Sequence, residues 1–99
     1  VFQPHTYTRT KELLLEFAKA LTIADEVVLA KIYPARETDT LGISSDNIRL
    51  KMEELGKKAT YIPTFEEILK KKKKNCSPGD VLITMGAGDV VIVGENYLK

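Results

Sequence analysis

The residues best suited to recognising an anion stand in short polar stretches that follow apolar runs. The single histidine, His5, and one of three arginines, Arg9, fall within Gln3-Pro4-His5-Thr6-Tyr7-Thr8-Arg9-Thr10. A second arginine lies in Pro34-Ala35-Arg36-Glu37, and a third stretch, Gly86-Ala87-Gly88-Asp89, is built of small residues that let a backbone or a ligand come close. Guanidinium groups, an imidazole, hydroxyls and the free amides that open helices are what hold a carboxylate or a phosphate. Each residue also has a plainer reading. His5 can be a polar loop residue bonded to a helix end, Arg9 can pair with Glu12 or Glu16 on its own helix, Arg36 can pair with Glu37, and Gly86 and Gly88 can serve tight packing. No metal site is expected, because one histidine and one distant cysteine, Cys76, fall short of the ligands zinc needs. Nor do Ser44 and Ser45 sit in the Gly-x-Ser-x-Gly elbow of a hydrolase.

The elements that must position these stretches follow from periodicity. Val1 to Gln3 reads as the end of a buried strand, Pro4 stops it, and the threonines cap a helix expected to start near Lys11, with Leu13, Leu14, Phe17, Ala18 and Leu21 as its apolar stripe. Glu26 to Tyr33 is a nearly continuous apolar run, as expected of a parallel strand covered on both faces, and Pro34 ends it. Residues 34–43 carry neither helical nor strand periodicity. Ser44 or Ser45 then caps a helix with Ile48, Met52 and Leu55 facing inward and Gly56 at its end.

Ala59 to Ile62 is a short strand. Thr64 opens a third helix in capping-box form, with Glu67 reaching back and Phe65, Ile68 and Leu69 as the buried face. It runs into Lys70 to Lys74, read as a solvated helix end favoured by the macrodipole. After the turn Pro78-Gly79-Asp80, Val81 to Met85 is another strand of the buried parallel type. Val90 to Val93 suits a strand by composition, whereas Val90, Val91, Gly94, Tyr97 and Leu98 make a helical stripe. A helix capped by Asp89 is expected, because a loop after a parallel strand normally leads into a crossover helix.

Strands alternating with helices predict one α/β domain, a Rossmann-like three-layer fold with a mainly parallel sheet and helices on both faces. Right-handed crossovers put the loops His5 to Arg9, Pro34 to Glu37 and Gly86 to Asp89 at one edge, where open parallel sheets bind their ligands. At 99 residues and 43% hydrophobic content there is room for one core. The net charge of +1 hides an asymmetry, since five of the fifteen basic residues form the one lysine run and the other ten face fourteen acidic residues. That is not the spread basic surface with interleaved aromatics of a nucleic-acid binder. No stretch approaches the roughly 20 apolar residues of a membrane span. A lone cysteine points to a reducing compartment, the cytoplasm. The chain opens inside a strand and without methionine, as expected of a piece of a longer protein.

Four blocks in order, Gln3 to Thr10, Ile32-Tyr33-Pro34-Ala35-Arg36-Glu37, Gly42-Ile43-Ser44-Ser45 and Thr84-Met85-Gly86-Ala87-Gly88-Asp89, resemble the carboxyl-terminal domain of the ATP-dependent Mur ligases of bacterial cell-wall synthesis. The resemblance covers nearly the whole chain. It implies a parent protein of three domains that joins L-alanine to UDP-N-acetylmuramate, in which ATP phosphorylates the muramoyl carboxylate and the amine of L-alanine attacks the acyl phosphate. This domain would close over the nucleotide and hold the amino acid, with Arg9 gripping the alanine carboxylate and His5, Thr6, Arg36, Gly86 and Gly88 around it. Many relatives carry a second arginine where this chain has Thr6, which leaves one positive charge in that loop. No G-x-x-x-x-G-K-[ST] phosphate loop is present, so ATP and magnesium would be held mainly by domains absent from this chain. The family's first strand-helix unit also lies outside it, and the fragment alone is expected to be inactive, with no catalytic residue of its own. The alternatives are a domain of a sister Mur or murein-peptide ligase with a different amino acid or peptide, and a free-standing anion- or nucleotide-binding regulatory module.

Overall fold

The computed structural model describes residues 1–86 and 88–98. Among them, the short strands β1 (Phe2–Gln3), β2 (Val28–Leu29), β3 (Thr60–Tyr61) and β4 (Met85–Gly86) form an all-parallel sheet in the order β3-β2-β1-β4. Phe2 is in register with Leu29 on one side and with Met85 on the other. The helices are α1 (Tyr7–Glu12), α2 (Leu14–Leu21), α3 (Ser45–Glu54), α4 (Phe65–Asn75) and α5 (Val91–Tyr97), the last entered through a 3-10 turn at Gly88–Val90.

Successive strand residues point to opposite faces, so the run through β2 feeds two cores. Leu29 joins Ala18, Val27, Ile48 and Met52, with Phe2, Leu14 and Phe17 against them, which places α2 and α3 on one face. Val28 and Ala30 join Ile68 and Val93, with Ile62 and Phe65 against them, which places α4 and α5 on the other. Leu29, Ile48, Met52 and Ile68 are fully buried, and each such side chain contributes about 1.5–3 kcal/mol relative to exposure. The expected three-layer α/β fold is the one observed.

Local chemistry sets the helix ends. Ser44, rather than Ser45, caps α3 in a capping box, with Asn47 Oδ1 accepting from the Ser44 amide at 2.8 Å. Ser45 is buried instead, its hydroxyl donating to the Ala30 carbonyl and locking α3 to the end of β2. At the other end Gly56, at φ 86°, lets the Lys57 and Gly56 amides turn back to the Met52 and Glu53 carbonyls at 2.9 and 3.0 Å.

The structure corrects several expectations. The first helix begins at Tyr7, not near Lys11, because Thr6 is its cap, and it breaks at Leu13 into α1 and α2. Leu55 is exposed, lying past the last turn of α3. Thr64 Oγ1 accepts from the Glu67 amide at 3.4 Å, but among the described residues the Glu67 side chain makes no return bond. Asp89 does not cap α5, since the 3-10 turn intervenes. Val81 to Thr84 are not strand, β4 being only Met85–Gly86, and this stretch is not covered on both faces, with Val81, Ile83 and Met85 exposed by 83%, 59% and 49% at alternate positions. Nor is the lysine run uniformly solvated. Lys72 is buried, its stem inside the fold and its Nζ 3.0 Å from Glu26 Oε1, as a long side chain with an apolar stem permits.

The two members of this pair are not equivalent. Glu26 is half exposed while Lys72 is not, so removing the carboxylate leaves a buried cation, whereas removing the amine leaves a carboxylate that water can reach. Glu26→Gln should therefore destabilise more than Lys72→Met, by about 1–3 kcal/mol once the usual cost of breaking a buried pair is discounted for that exposure. Urea unfolding of both variants checks this. Lys70→Gln and Lys73→Gln should stay within about 0.5 kcal/mol of the parent, as surface substitutions do.

Candidate functional site

The parallel ladder of β1 and β2 continues past the strands into the polar loops. The Tyr33 amide donates to the Pro4 carbonyl at 2.8 Å and the Thr6 amide to the Tyr33 carbonyl at 2.7 Å. His5 is thereby bridged to Tyr33, and the two rings stack at 5.7 Å between centroids and 16° between planes. Thr6 sits at φ 62°, a conformation that costs a non-glycine residue about 1–3 kcal/mol and persists only when its surroundings over-determine it. Here they do. Its Oγ1 accepts from the Arg9 amide at 3.2 Å, and its carbonyl accepts from the Thr10 hydroxyl at 2.7 Å. Arg9 is thus fixed in the first turn of α1, with its side chain exposed.

The loop after β2 comes to meet this one. Ala35, at φ 55°, turns the chain, and the Glu37 amide closes the turn onto the Pro34 carbonyl at 3.0 Å. The Glu37 carboxylate reaches across to the start of α1. Its Oε1 accepts from the amides of Tyr7 and Thr8, and its Oε2 accepts from the Thr8 hydroxyl. The Thr8 hydroxyl, aided by the amides of Thr8 and Tyr7 and by His5, holds the Glu37 carboxyl below its ordinary value. Glu37 therefore does not serve as partner to Arg36. Among the described residues neither Arg9 nor Arg36 takes part in an ion pair, so the plainer pairings with Glu12, Glu16 and Glu37 are not made.

Gly86 lies beside the end of β1, paired with Gln3. At φ 133° it adopts a conformation that side chains resist, and a Cβ there would penetrate the Gln3 carbonyl oxygen. Tight packing accounts for this glycine. The Gln3 side chain is buried, donating from Nε2 to the Lys31 carbonyl at 3.2 Å, while its Oε1 has no partner among the described residues. Gly88 opens the 3-10 turn before α5, and Ala87 of the same stretch lies outside the described residues.

His5, Thr6, Arg9 and Arg36 are thus gathered by direct contacts between two loops, and Gly86 belongs to the adjoining strand at the same edge. A cavity of about 330 Å³ opens nearby, lined by Tyr7, Ser44 and Tyr61 among others. A cavity of about 470 Å³ lies elsewhere, over Phe2, Leu21, Ile83 and Met85. Its lining is mostly apolar, and His5, Thr6, Arg9, Arg36 and Gly86 are not among it. Among the described residues no group of three or more histidine, cysteine, aspartate or glutamate side chains is placed to hold a metal ion. No helix of the described residues is long and apolar enough to cross a membrane. The residue that sequence reasoning missed is Glu37. The signal was the set of unpaired amides that opens every helix, facing a loop that carries the carboxylates Glu37 and Asp39, of which Asp39 turns to its own loop at the Leu41 amide.

An open parallel α/β sheet with two cationic loops joined at its carboxyl edge defines the class. The chain belongs to the Mur ligase carboxyl-terminal domain family, its residues 1–88 matching the domain described as "Mur ligase, glutamate ligase domain". It is similar along its whole length to proteins named UDP-N-acetylmuramate--L-alanine ligase. That of Lachnospira eligens is 65% identical over 99 residues, all of this chain and 22% of that protein. Those of Acetivibrio thermocellus and Clostridium perfringens are 58% and 50% identical over all of this chain, which covers 21% and 22% of their lengths. The chain therefore spans about a fifth of the relatives it matches.

Two stability predictions follow from these contacts. Gly86→Ala should destabilise by about 1–3 kcal/mol, the range for forcing a side chain into a sparsely populated backbone conformation, and thermal unfolding measures it. The lowered folded value of Glu37 means that its contribution is fully present above its ordinary value of 4.5 and is lost as pH falls through the lowered value. The gap in melting temperature between the parent and Glu37→Gln should accordingly be widest near neutral pH and close in acid.

Proposed function

We propose that this chain is the amino-acid-holding domain of a cytoplasmic, ATP-dependent ligase that joins L-alanine to UDP-N-acetylmuramate in peptidoglycan synthesis. The observation that carries the reading is the meeting of the Arg9 and Arg36 loops at the carboxyl edge of the sheet, with both guanidinium groups free of carboxylate partners among the described residues. A small amino acid offers a carboxylate to such a pair. Arg9 grips it, Arg36 adds a second positive charge where Thr6 supplies none, and His5 and the backbone at Gly86 and Gly88 border the space. The amine is left uncovered as the nucleophile. The relatives' shared name supports this substrate pair.

The nucleotide and its magnesium belong mainly to other domains of the parent chain. The residues here do not fit them, because the sequence has no phosphate loop and the described residues gather no metal-binding cluster. No step through ATP or magnesium is assigned to this chain, and the isolated fragment is expected to be inactive.

ADP release by the parent protein, given ATP, magnesium and UDP-N-acetylmuramate, tests the reading. Release that depends on L-alanine supports it; release triggered only by another amino acid or a peptide moves the chain to a sister ligase, and none at all overturns the ligase reading. In the same assay Arg9→Ala should raise KM for L-alanine by about 10- to 100-fold, the worth of a hydrogen-bonded charge. KM for ATP should be nearly unchanged, and equal effects on both would assign Arg9 to domain closure.

A further inference from the structure

We propose that Glu37 is a positioning residue for the amino-acid site, fixing the Arg9 loop and the Arg36 loop relative to each other. The inference deepens the reading above and rests on it for the identity of the amino acid. It starts from geometry. One carboxylate accepts from two consecutive amides, Tyr7 and Thr8, and from the Thr8 hydroxyl, while its own backbone lies next to Arg36. Arg9 follows Thr8 directly and shares the same first turn of α1. A movement of Glu37 therefore moves the two guanidinium-bearing segments apart.

Each loop has bonds of its own, but few join one loop to the other beyond their ladder. Thr6 and Ala35 both sit at positive φ, at 62° and 55°, without being glycine. The ladder that joins the loops ends at the bond from the Thr6 amide to the Tyr33 carbonyl. Beyond it, Glu37 supplies the tie between residues 34–37 and α1. Glu37 is no ligand of the substrate in this scheme. Its carboxylate takes the amides that open α1, which leaves the guanidinium groups to recognise the incoming carboxylate and keeps it from being drawn to the helix start.

The test uses the full-length parent protein, with Glu37→Gln, Thr8→Val and Thr8→Ser made singly and Glu37→Gln/Thr8→Val together. Glu37→Gln should raise KM for L-alanine by roughly tenfold to a hundredfold, the range for a small misplacement of a binding group, while kcat and KM for ATP stay within about twofold. Thr8→Val should raise KM for L-alanine in the same direction, Thr8→Ser should restore it, and the double variant should be no worse than Glu37→Gln, because both changes cut one tie. A variant that merely loosened the fold would lower active enzyme and leave the KM values alone. Equal shifts for L-alanine and ATP, or additive effects of the two changes, would overturn the proposal.

Hydrogen exchange at the Tyr7 and Thr8 amides supplies a readout that needs no activity. Faster exchange there in Glu37→Gln, with core amides unchanged, supports the tie, and unchanged protection overturns it even if L-alanine proves to be the wrong substrate. Loss of L-alanine-dependent ADP release in the unmutated protein would count against the functional reading alone.

Discussion

β1 is hydrogen-bonded in parallel on both sides, to β2 and to β4, and everything at the functional edge depends on that pairing. Parallel strands end at the same edge, so the loops that leave them have no choice but to be neighbours. The register does more than align them. With Phe2 opposite both Leu29 and Met85, the residues just beyond each strand arrive at a common level, and the ladder extends one step further to set His5 on Tyr33. Gly86 must be glycine for the same reason, since it is held against the Gln3 carbonyl by this register.

From that edge the structure works by distributing charge. The amides that open α1 would attract any anion, and the chain fills them with its own Glu37. Among the described residues Arg9 and Arg36 make no ion pair, and the Glu37 carboxylate is satisfied by α1. Arg49 shows the contrast. It sits on α3 between Asp46 and Glu53, at 2.5 and 3.2 Å, and serves as an ordinary surface pair. Scarcity of arginine alone therefore does not set Arg9 and Arg36 apart from Arg49; their place in the loops at the carboxyl edge does.

Much of the fold was legible because the signals were local and redundant. The apolar run through β2, the cap at Thr64 and the Gly56 stop each give one reading, the cap of α3 was narrowed to Ser44 or Ser45, and the three layers follow from alternation. What escaped depended on distant contacts or on unusual backbone. Nothing in the residue type of Thr6 announces a positive φ, so the helix was placed four residues late. Lys72 looks like its neighbours and differs only because Glu26, 46 residues away, waits for it. The segment before β4 has the composition of a buried strand, and its exposed Val81 and Ile83 show that composition does not by itself settle pairing or burial. In the site, the loops and their arginines were readable from strand ends, whereas the role of Glu37 needed the fold to bring residues 30 apart together.

The central place of β1 also governs the order in which the domain can be made. Gln3 of β1 bonds the Lys31 carbonyl just past β2 across 28 residues, and Phe2 of β1 pairs with Met85 of β4, 83 residues on. Closing the longer span costs only about 1 kcal/mol more in chain entropy, so the thermodynamic price is small. The timing is another matter. During synthesis the β1–β2 and β2–β3 pairings become possible before the β1–β4 pairing, because Met85 is made last. The two cationic loops are therefore assembled early, and the Gly86 side of the site is closed last.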